Sequence, residues 1–262
     1  MERKFAKSTP PRKELMVIGR QPVIECMMAG RPVDKIYFQQ GVSGESIGDI
    51  RRLAKEHHIP IQQVPAEKLN QLTRSNHQGV IAIAALLPYM DLQQVVDLVV
   101  GSGDIPLFVM LDGVTDVRNI GGIARSALCC GAQALIIPDK GVGALNEEAL
   151  KASAGALEKI NVCRVGSLMK AVDTLHLNGF RVFASEMNAS IPLFEADFRQ
   201  PCCVVMGSEG KGVFPPLLKI CDQAVRIPMA GDFDSLNVSV AAGIFLYEAM
   251  KQRTGNAPAM DS

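Results

Sequence analysis

Beyond Pro106 the chain alternates short, continuously apolar runs with helical patterns, and few folds accommodate that rhythm. The runs are Phe108–Leu111, Ala134–Ile137, Val162–Val165, Arg181–Ala184, Cys203–Met206 and Ala224–Ile227. Helical spacing fills most of the intervals, at Ile120–Cys130, Glu147–Lys159, Ser167–Leu177 and Asn237–Arg253. A strand that is apolar at nearly every position cannot leave one face in water, so these strands predict an α/β domain whose parallel sheet is covered on both faces. In such sheets ligands bind beyond the carboxyl ends of the strands. The residues that follow each strand are therefore the first places to look for chemistry.

The N-terminal part reads differently. Arg20–Ala29 and Ser46–His57 predict helices, and Lys35–Gln40, Ile61–Val64 and Gly79–Leu87 predict strands, which makes a small α/β unit over residues 16–88. Residues 1–15 are basic and polar, with Pro10 and Pro11 against regular structure, and read as a flexible tail. Residues 89–106 hold a short amphipathic stretch, Leu92–Val100, and the turn-rich GSGDIP, and read as a linker. The larger domain then spans 107–254, followed by a tail at 255–262.

Formal net charge is zero, but its distribution is uneven: residues 1–88 carry 13 Lys and Arg against 8 Asp and Glu, and the rest carries 14 against 19. The asymmetry fits a basic nucleic-acid-facing arm beside a more neutral body, and fits a solvated basic tail equally well. No apolar run reaches the roughly 18–20 residues that cross a bilayer, and no signal peptide precedes the first domain, so a soluble, cytoplasmic protein is expected. The seven cysteines include two adjacent pairs inside apolar runs and no CxxC, which predicts reduced core thiols and no metal site.

Three segments place polar residues or glycines just past an apolar strand. In LDGVTDVRNIGGIARSALCCGA (111–132), a loop carries Arg118 and Asn119, and a helix beginning near Gly121 and Gly122 carries Arg125 in its first turns. A cation there opposes the helix dipole, so Arg125 is a candidate for gripping an anion such as an RNA phosphate, although an ordinary surface arginine fits the spacing. In VVMGSEGKGV (204–213), Gly207, Gly210 and Gly212 alternate with Ser208, Glu209 and Lys211. The spacing matches neither a phosphate-binding loop nor a dinucleotide fingerprint, leaving a tight turn or a close backbone approach to a ligand. In RIPMAGDFDSLNVSVAAGIFLYEAM (226–250), Ser235 or Asn237 suits a helix N-cap, and the small residues that follow suit either a subunit interface or close packing within the chain.

Taken together and in this order, the Asn119–Arg125 segment, the GSEGKG turn with Glu209, and SLNVSVAAG with Ser235 and Asn237 closely resemble the SpoU/TrmH family of RNA ribose methyltransferases, within the SPOUT superfamily. VIGRQPVIECMMAGRPVDKIYFQ (17–39) and SNHQGVIAIA (75–84) resemble the small ribosomal-protein-like RNA-binding domain of the subgroup that modifies a guanosine in large-subunit rRNA. The resemblance implies a deep trefoil knot in the C-terminal domain, a homodimer formed through it, and S-adenosylmethionine as cofactor. It implies cofactor contacts at Met206, Gly207, Gly210, Ile227, Met229 and Leu236. It also implies catalytic or positioning roles for Arg125, Asn119, Glu209, Ser235 and Asn237, and RNA contacts at Arg20, Arg31, Lys35, Asn76, His77 and Gln78. For His77 a purely local role as a turn residue fits as well. Because arginine stays protonated, Arg125 suits charge stabilisation or a phosphate clamp better than proton abstraction, and Glu209 suits orientation of Arg125 or Asn119. Two other readings are a tRNA ribose methyltransferase, against which the extra N-terminal domain weighs, and an RNA-binding homologue with little catalysis.

Overall fold

The computed structural model of the protein describes residues 16–143, 145–230 and 235–254. The expected tails at 1–15 and 255–262 lie outside the described residues, as does the polar loop segment 231–234. The chain forms two compact units that meet in sequence between Pro88 and Tyr89.

The first unit runs β1 (Met16–Ile18), α1 (Arg20–Met28), β2 (Val33–Gln39), α2 (Glu45–Glu56), β3 (Ile61–Val64), α3 (Ala66–Leu72) and β4 (Val80–Ala84). Its four strands are ordered β1-β4-β2-β3, with β4 antiparallel to both neighbours and β3 parallel to β2. Alternate residues explain the apolar run in β4. Val80 and Ala82 join Ile36 and Phe38 beneath α1 and α2, whereas Ile81 and Ile83 join Tyr37, Val64 and Leu69 on the other face. The sequence patterns for β1 and α3 were too short to predict either element.

The second unit runs α4 (Leu92–Gly101), β5 (Leu107–Asp112), α5 (Val117–Cys129), β6 (Ala134–Pro138), α6 (Glu147–Ala152), β7 (Asn161–Val165), α7 (Leu168–Leu177), β8 (Arg181–Ser185), β9 (Ile191–Pro192), β10 (Cys202–Gly207), α8 (Pro215–Leu218), β11 (Gln223–Arg226) and α9 (Val238–Thr254). The sheet is seven-stranded, ordered β7-β6-β5-β10-β8-β11-β9, and every pairing is parallel. Phe108, Met110, Ala134, Ile136, Val182, Ala184, Cys203 and Val205 pack with α4 and α7. Their neighbours Val109, Leu111, Leu135, Ile137, Val204 and Met206 are equally buried on the other face, where α9 packs on β10 and α5 packs on α9. The continuously apolar strands are thus explained by two covered faces.

Two expectations need correction. Residues 89–106 are not simply a linker: Leu92, Val95, Val96 and Val99 belong to the core of the second unit, and the Met90 amide donates to the Val162 carbonyl at 2.9 Å along the β7 edge. An amphipathic stripe of four apolar residues needs an apolar partner, and this one finds it on the sheet. Helix α5 also starts earlier than Gly121–Gly122. Asp116 caps it by accepting the Arg118 amide at 2.9 Å, so Asn119 lies in the first helical turn and Arg125 near the third. The two glycines sit inside the helix because neighbours crowd it. A Cβ on Gly121 would lie 2.6 Å from the Ala149 carbonyl oxygen, and one on Gly122 would lie 3.3 Å from Ser239 Cβ. The small residues of α9 therefore serve packing within the chain, with Gly243 facing Ser126 in the same crossing.

Cys26, Cys163, Cys202 and Cys203 are buried thiols, and burial pushes Cys202 up to about 11 and Cys163 to about 12. Cys129 departs from the expected pattern: it closes α5 on the exposed side.

The C-terminal end of α9 is anchored by one guanidinium. Arg253 donates from Nε to Phe198 O (2.9 Å), from Nη1 to Ile105 O (2.7 Å), and from Nη2 to Pro106 O (2.9 Å) and Gln200 O (3.0 Å). These carbonyls lie in the segments that lead into β5 and β10. Gln252 adds a reciprocal pair, donating to Ala196 O and accepting from Phe198 N, both at 2.9 Å. Partial burial of Arg253 lowers its pKa, and the planar fork of five donors matches four carbonyls in a way an ammonium cannot. Arg253→Ala is expected to cost about 2 kcal/mol or more of the second unit's stability, and Arg253→Lys to recover only part of it. Urea denaturation of the full chain measures both; unchanged midpoints would remove the anchor from this account.

Candidate active site

Because all seven strands of the second unit run parallel, their carboxyl ends share one edge. Strand β5 ends there in Asp112, β10 in Gly207, and β11 runs on to Ile227, Pro228 and Met229. Strand β8 lies between β10 and β11, so the β10 and β11 ends stand about 10 Å apart, roughly the width of an adenosine.

The GSEGKG segment is a tight turn packed onto its own strand. Ser208 and Gly212 exchange backbone hydrogen bonds (3.1 and 2.9 Å), and Gly210 and Gly212 adopt φ of 80° and 65°. A Cβ on Gly207 would lie 2.1 Å from the Gly212 carbonyl carbon, so the close return of the chain requires glycine. Asp112, which sequence reasoning missed, holds the far side of the turn by accepting the Phe214 amide on Oδ2 at 2.6 Å. Its signal was available: an acid ending an otherwise buried strand, in register with Gly207 on β10.

This turn presents Glu209 to two helices. Glu209 Oε1 accepts from Asn119 Nδ2 at 3.0 Å and from Asn237 Nδ2 at 2.7 Å, and Asn237 Nδ2 also donates to Asn119 Oδ1 at 3.1 Å. Asn237 is in turn fixed as the N-cap of α9. Its Oδ1 accepts from the Ser239 amide at 2.9 Å and the Ser239 hydroxyl at 2.5 Å, and its carbonyl accepts from the Ala241 amide at 2.9 Å. Three side chains from α5, the β10 turn and α9 thus close one hydrogen-bonded ring. The carboxylate sets the orientation of both amides, since each must direct an N–H toward it.

The other candidate residues are placed less uniformly. Arg125 is exposed, and no described residue forms a hydrogen bond or ion pair with it. It stands six positions after Asn119, roughly 120° around the helix, so Glu209 orients Asn119 and not Arg125. Its position near the third turn also removes the dipole argument made from sequence. Ser235 is exposed and outside the ring. Met206 is buried below the turn, Gly210 is exposed at its tip, Ile227 is half-buried, and Met229 and Leu236 are 41% and 37% exposed. Among the described residues, no group of three or more His, Cys, Asp or Glu is arranged to hold a metal ion.

In the first unit, Arg20 and the Asn76–Gly79 turn come together. Gln78 has φ of 51°; its Oε1 accepts the Arg20 amide at 3.2 Å and its carbonyl accepts Arg20 Nε at 3.0 Å. His77 Nδ1 accepts the Gly79 amide at 3.0 Å, which leaves Nε2 to donate to Asn70 Oδ1 at 3.0 Å. Both nitrogens of His77 are engaged in shaping the turn, while Asn76 and Gln78 face outward. Lys35 lies apart from them, its ammonium 5.1 Å from the Tyr37 ring centroid, and Arg31 is exposed just after α1.

Comparison with known proteins agrees with this architecture. Residues 106–247 match the SpoU rRNA Methylase family, and residues 16–90 match the domain described as RNA 2′-O ribose methyltransferase substrate binding. A Staphylococcus haemolyticus protein assigned to the TrmH family of tRNA/rRNA methyltransferases is 35% identical over 92% of this chain and 97% of its own. The SpoU methyltransferase AviRb from Streptomyces viridochromogenes, solved in complex with the cofactor AdoMet, superposes with a TM-score of 0.59 at 27% identity, covering 92% of this chain and 91% of its own. The TrmH/SpoU tRNA modifying enzyme of A. aeolicus superposes with a TM-score of 0.52 at 28% identity, covering 63% of this chain and 85% of its own. With both of its units matched and Asn119, Glu209 and Asn237 joined at the sheet edge, this chain belongs to the SpoU/TrmH family of RNA methyltransferases.

Proposed function

We propose that the protein uses S-adenosylmethionine to methylate a ribose 2′-hydroxyl in structured RNA, and that its substrate is a guanosine of large-subunit rRNA in the cytoplasm. The observation that carries this reading is the ring joining Asn119, Glu209 and Asn237 beside Gly207, because it brings three distant segments to the edge where a parallel sheet binds ligands.

The residues at that edge suit the cofactor. Gly207 offers bare backbone, and Gly210, Ile227, Met229 and Leu236 offer further main chain and apolar surface for a flat adenine, above buried Met206. The bound cofactor supplies an electrophilic methyl group on a sulfonium. Arg125, engaged by no described residue, clamps a phosphate of the RNA and stabilises the alkoxide that develops on the ribose oxygen. The clamped phosphate is then available to take the hydroxyl proton. Asn119 and Asn237, locked by Glu209, position the ribose and the α9 end of the cleft, and Ser235 adds a hydroxyl beside them.

The first unit is assigned to RNA capture. Arg20, with Asn76 and Gln78, forms a preset contact cluster, Arg31 and Lys35 add positive charge, and His77 shapes the turn. The tRNA modifying enzyme of A. aeolicus matches 63% of this chain, and the extra N-terminal unit is the ground for favouring rRNA over tRNA. The ring of Asn119, Glu209 and Asn237 speaks against a binding-only homologue.

The trefoil knot and the homodimer complete the proposal. The knot proposal draws support from the strand order, in which β10, late in sequence, lies between β5 and β8. On α9, Val240, Ile244 and Tyr247 are 52%, 37% and 59% exposed at helical spacing, an apolar stripe suited to a second copy.

Three outcomes test these points. Labelled S-adenosylmethionine should transfer its methyl group to rRNA precursors and leave an alkali-resistant linkage; transfer only to tRNA would reassign the substrate. Arg125→Ala should slow transfer about 100-fold or more while calorimetric cofactor affinity stays within about twofold; a large loss of affinity would show that the role of Arg125 is misplaced. Ile244→Glu should shift the mass measured by light scattering from dimer to monomer, and a chain that is monomeric without the substitution would end the dimer reading.

A further inference from the structure

We infer that Glu186 is a cofactor-recognition residue whose free carboxylate oxygen accepts from the ribose hydroxyls of the adenosyl group. The inference rests on the cofactor reading above.

Glu186 directly follows β8, the strand between β10 and β11. Its backbone is fixed on both sides. Its amide donates to the Val225 carbonyl of β11 at 3.0 Å, and its own carbonyl accepts the Ala189 amide at 3.1 Å. The side chain is divided. Oε1 accepts from the Asn188 amide at 3.1 Å and from Asn188 Nδ2 at 3.4 Å. Oε2 bonds no described residue, and it lies 3.5 Å from where a Cβ on Gly212 would stand. One oxygen therefore holds the carboxylate in place, and the other faces the glycine turn that packs on Gly207.

The position selects the ribose. The cofactor is linear in its parts, with adenine, ribose and amino acid in sequence. A ligand reaching from the Gly207 turn to the Ile227–Met229 segment spans the end of β8 with its middle, and its middle is the sugar. A carboxylate is the group that other α/β folds use to recognise a vicinal diol, because one anion accepts from two hydroxyls. Gly212, whose φ of 65° favours glycine, brings the turn alongside that oxygen.

Calorimetry with S-adenosylhomocysteine and its 2′-deoxyribose analogue on the full chain tests the assignment. Glu186→Ala should bind S-adenosylhomocysteine about tenfold or more weakly. Wild type should lose a similar factor when the 2′-hydroxyl is removed, and the variant should lose little further, because the two changes delete one interaction. Glu186→Gln, which keeps the shape and one acceptor, should fall between and carries the test if the alanine variant does not fold. Unchanged affinity in both variants, or equal losses for both ligands, as contact with the ammonium would give, overturns the inference. Wild type that binds neither ligand would instead overturn the cofactor reading itself.

Discussion

Helix α9 is held at both ends, and the site depends on where those two attachments put it. At one end Asn237 caps the helix and hands its amide to Glu209 and Asn119. At the other, Arg253 binds four backbone carbonyls in the segments that precede β5 and β10. The two strands anchored through Arg253 are the ones whose far ends carry Asp112 and Gly207. A displacement of the guanidinium end would therefore be felt, through rigid strands and a rigid helix, as a change in spacing around Glu209. Stability and site geometry share one mechanical frame, and the hydrogen bonds at its foot are as much part of the site as those at its head.

The crossing of α5 and α9 shows what that frame costs. Glycine inside a helix is unfavourable by about 1 kcal/mol relative to alanine, and α5 carries two in succession. The gain is proximity: Gly122 lies against Ser239, and Gly243 against Ser126, so the helices approach closely enough for Asn119 and Asn237 to bond directly at 3.1 Å. Ser239 does two things at once, filling the gap beside Gly122 and donating twice to Asn237 Oδ1. Replacing either glycine by a bulkier residue would favour the isolated helix and separate the amides. Local helix preference and site assembly are opposed here, and assembly prevails because it recruits the packing of two helices.

That opposition also explains which parts of the molecule were legible before the structure. The strands of the second unit could be read because burial on both faces leaves an unbroken apolar run, and the edges of Ile61–Val64 in the first unit coincide with β3. The start of α5 could not be read, because Gly121 and Gly122 argue for a boundary in local terms and only the distant residues Ala149 and Ser239 explain them. Leu92–Val100 had the right periodicity, but the turn-rich segment after it drew the domain boundary to the wrong side. The ring itself was beyond local pattern: its members are separated by 90, 28 and 118 positions, and each alone passes for a cap or a turn residue. Family resemblance named those residues, while the hydrogen bonds show which atoms meet and that Arg125 is not among them.

That no described residue engages Arg125 makes sense, under the proposed function, as a segregation of charge. The proposed cofactor carries a net positive charge, and both carboxylates near the glycine turn, Glu209 and Glu186, suit it electrostatically. An RNA phosphate requires the opposite field. Had Glu209 paired with Arg125, the guanidinium would have been partly neutralised before the substrate arrived, and the carboxylate would no longer lock the two amides. With Arg125 about 120° around α5 from Asn119, the proposed phosphate clamp would stay separate from Glu209 while its helix remains registered to the ring.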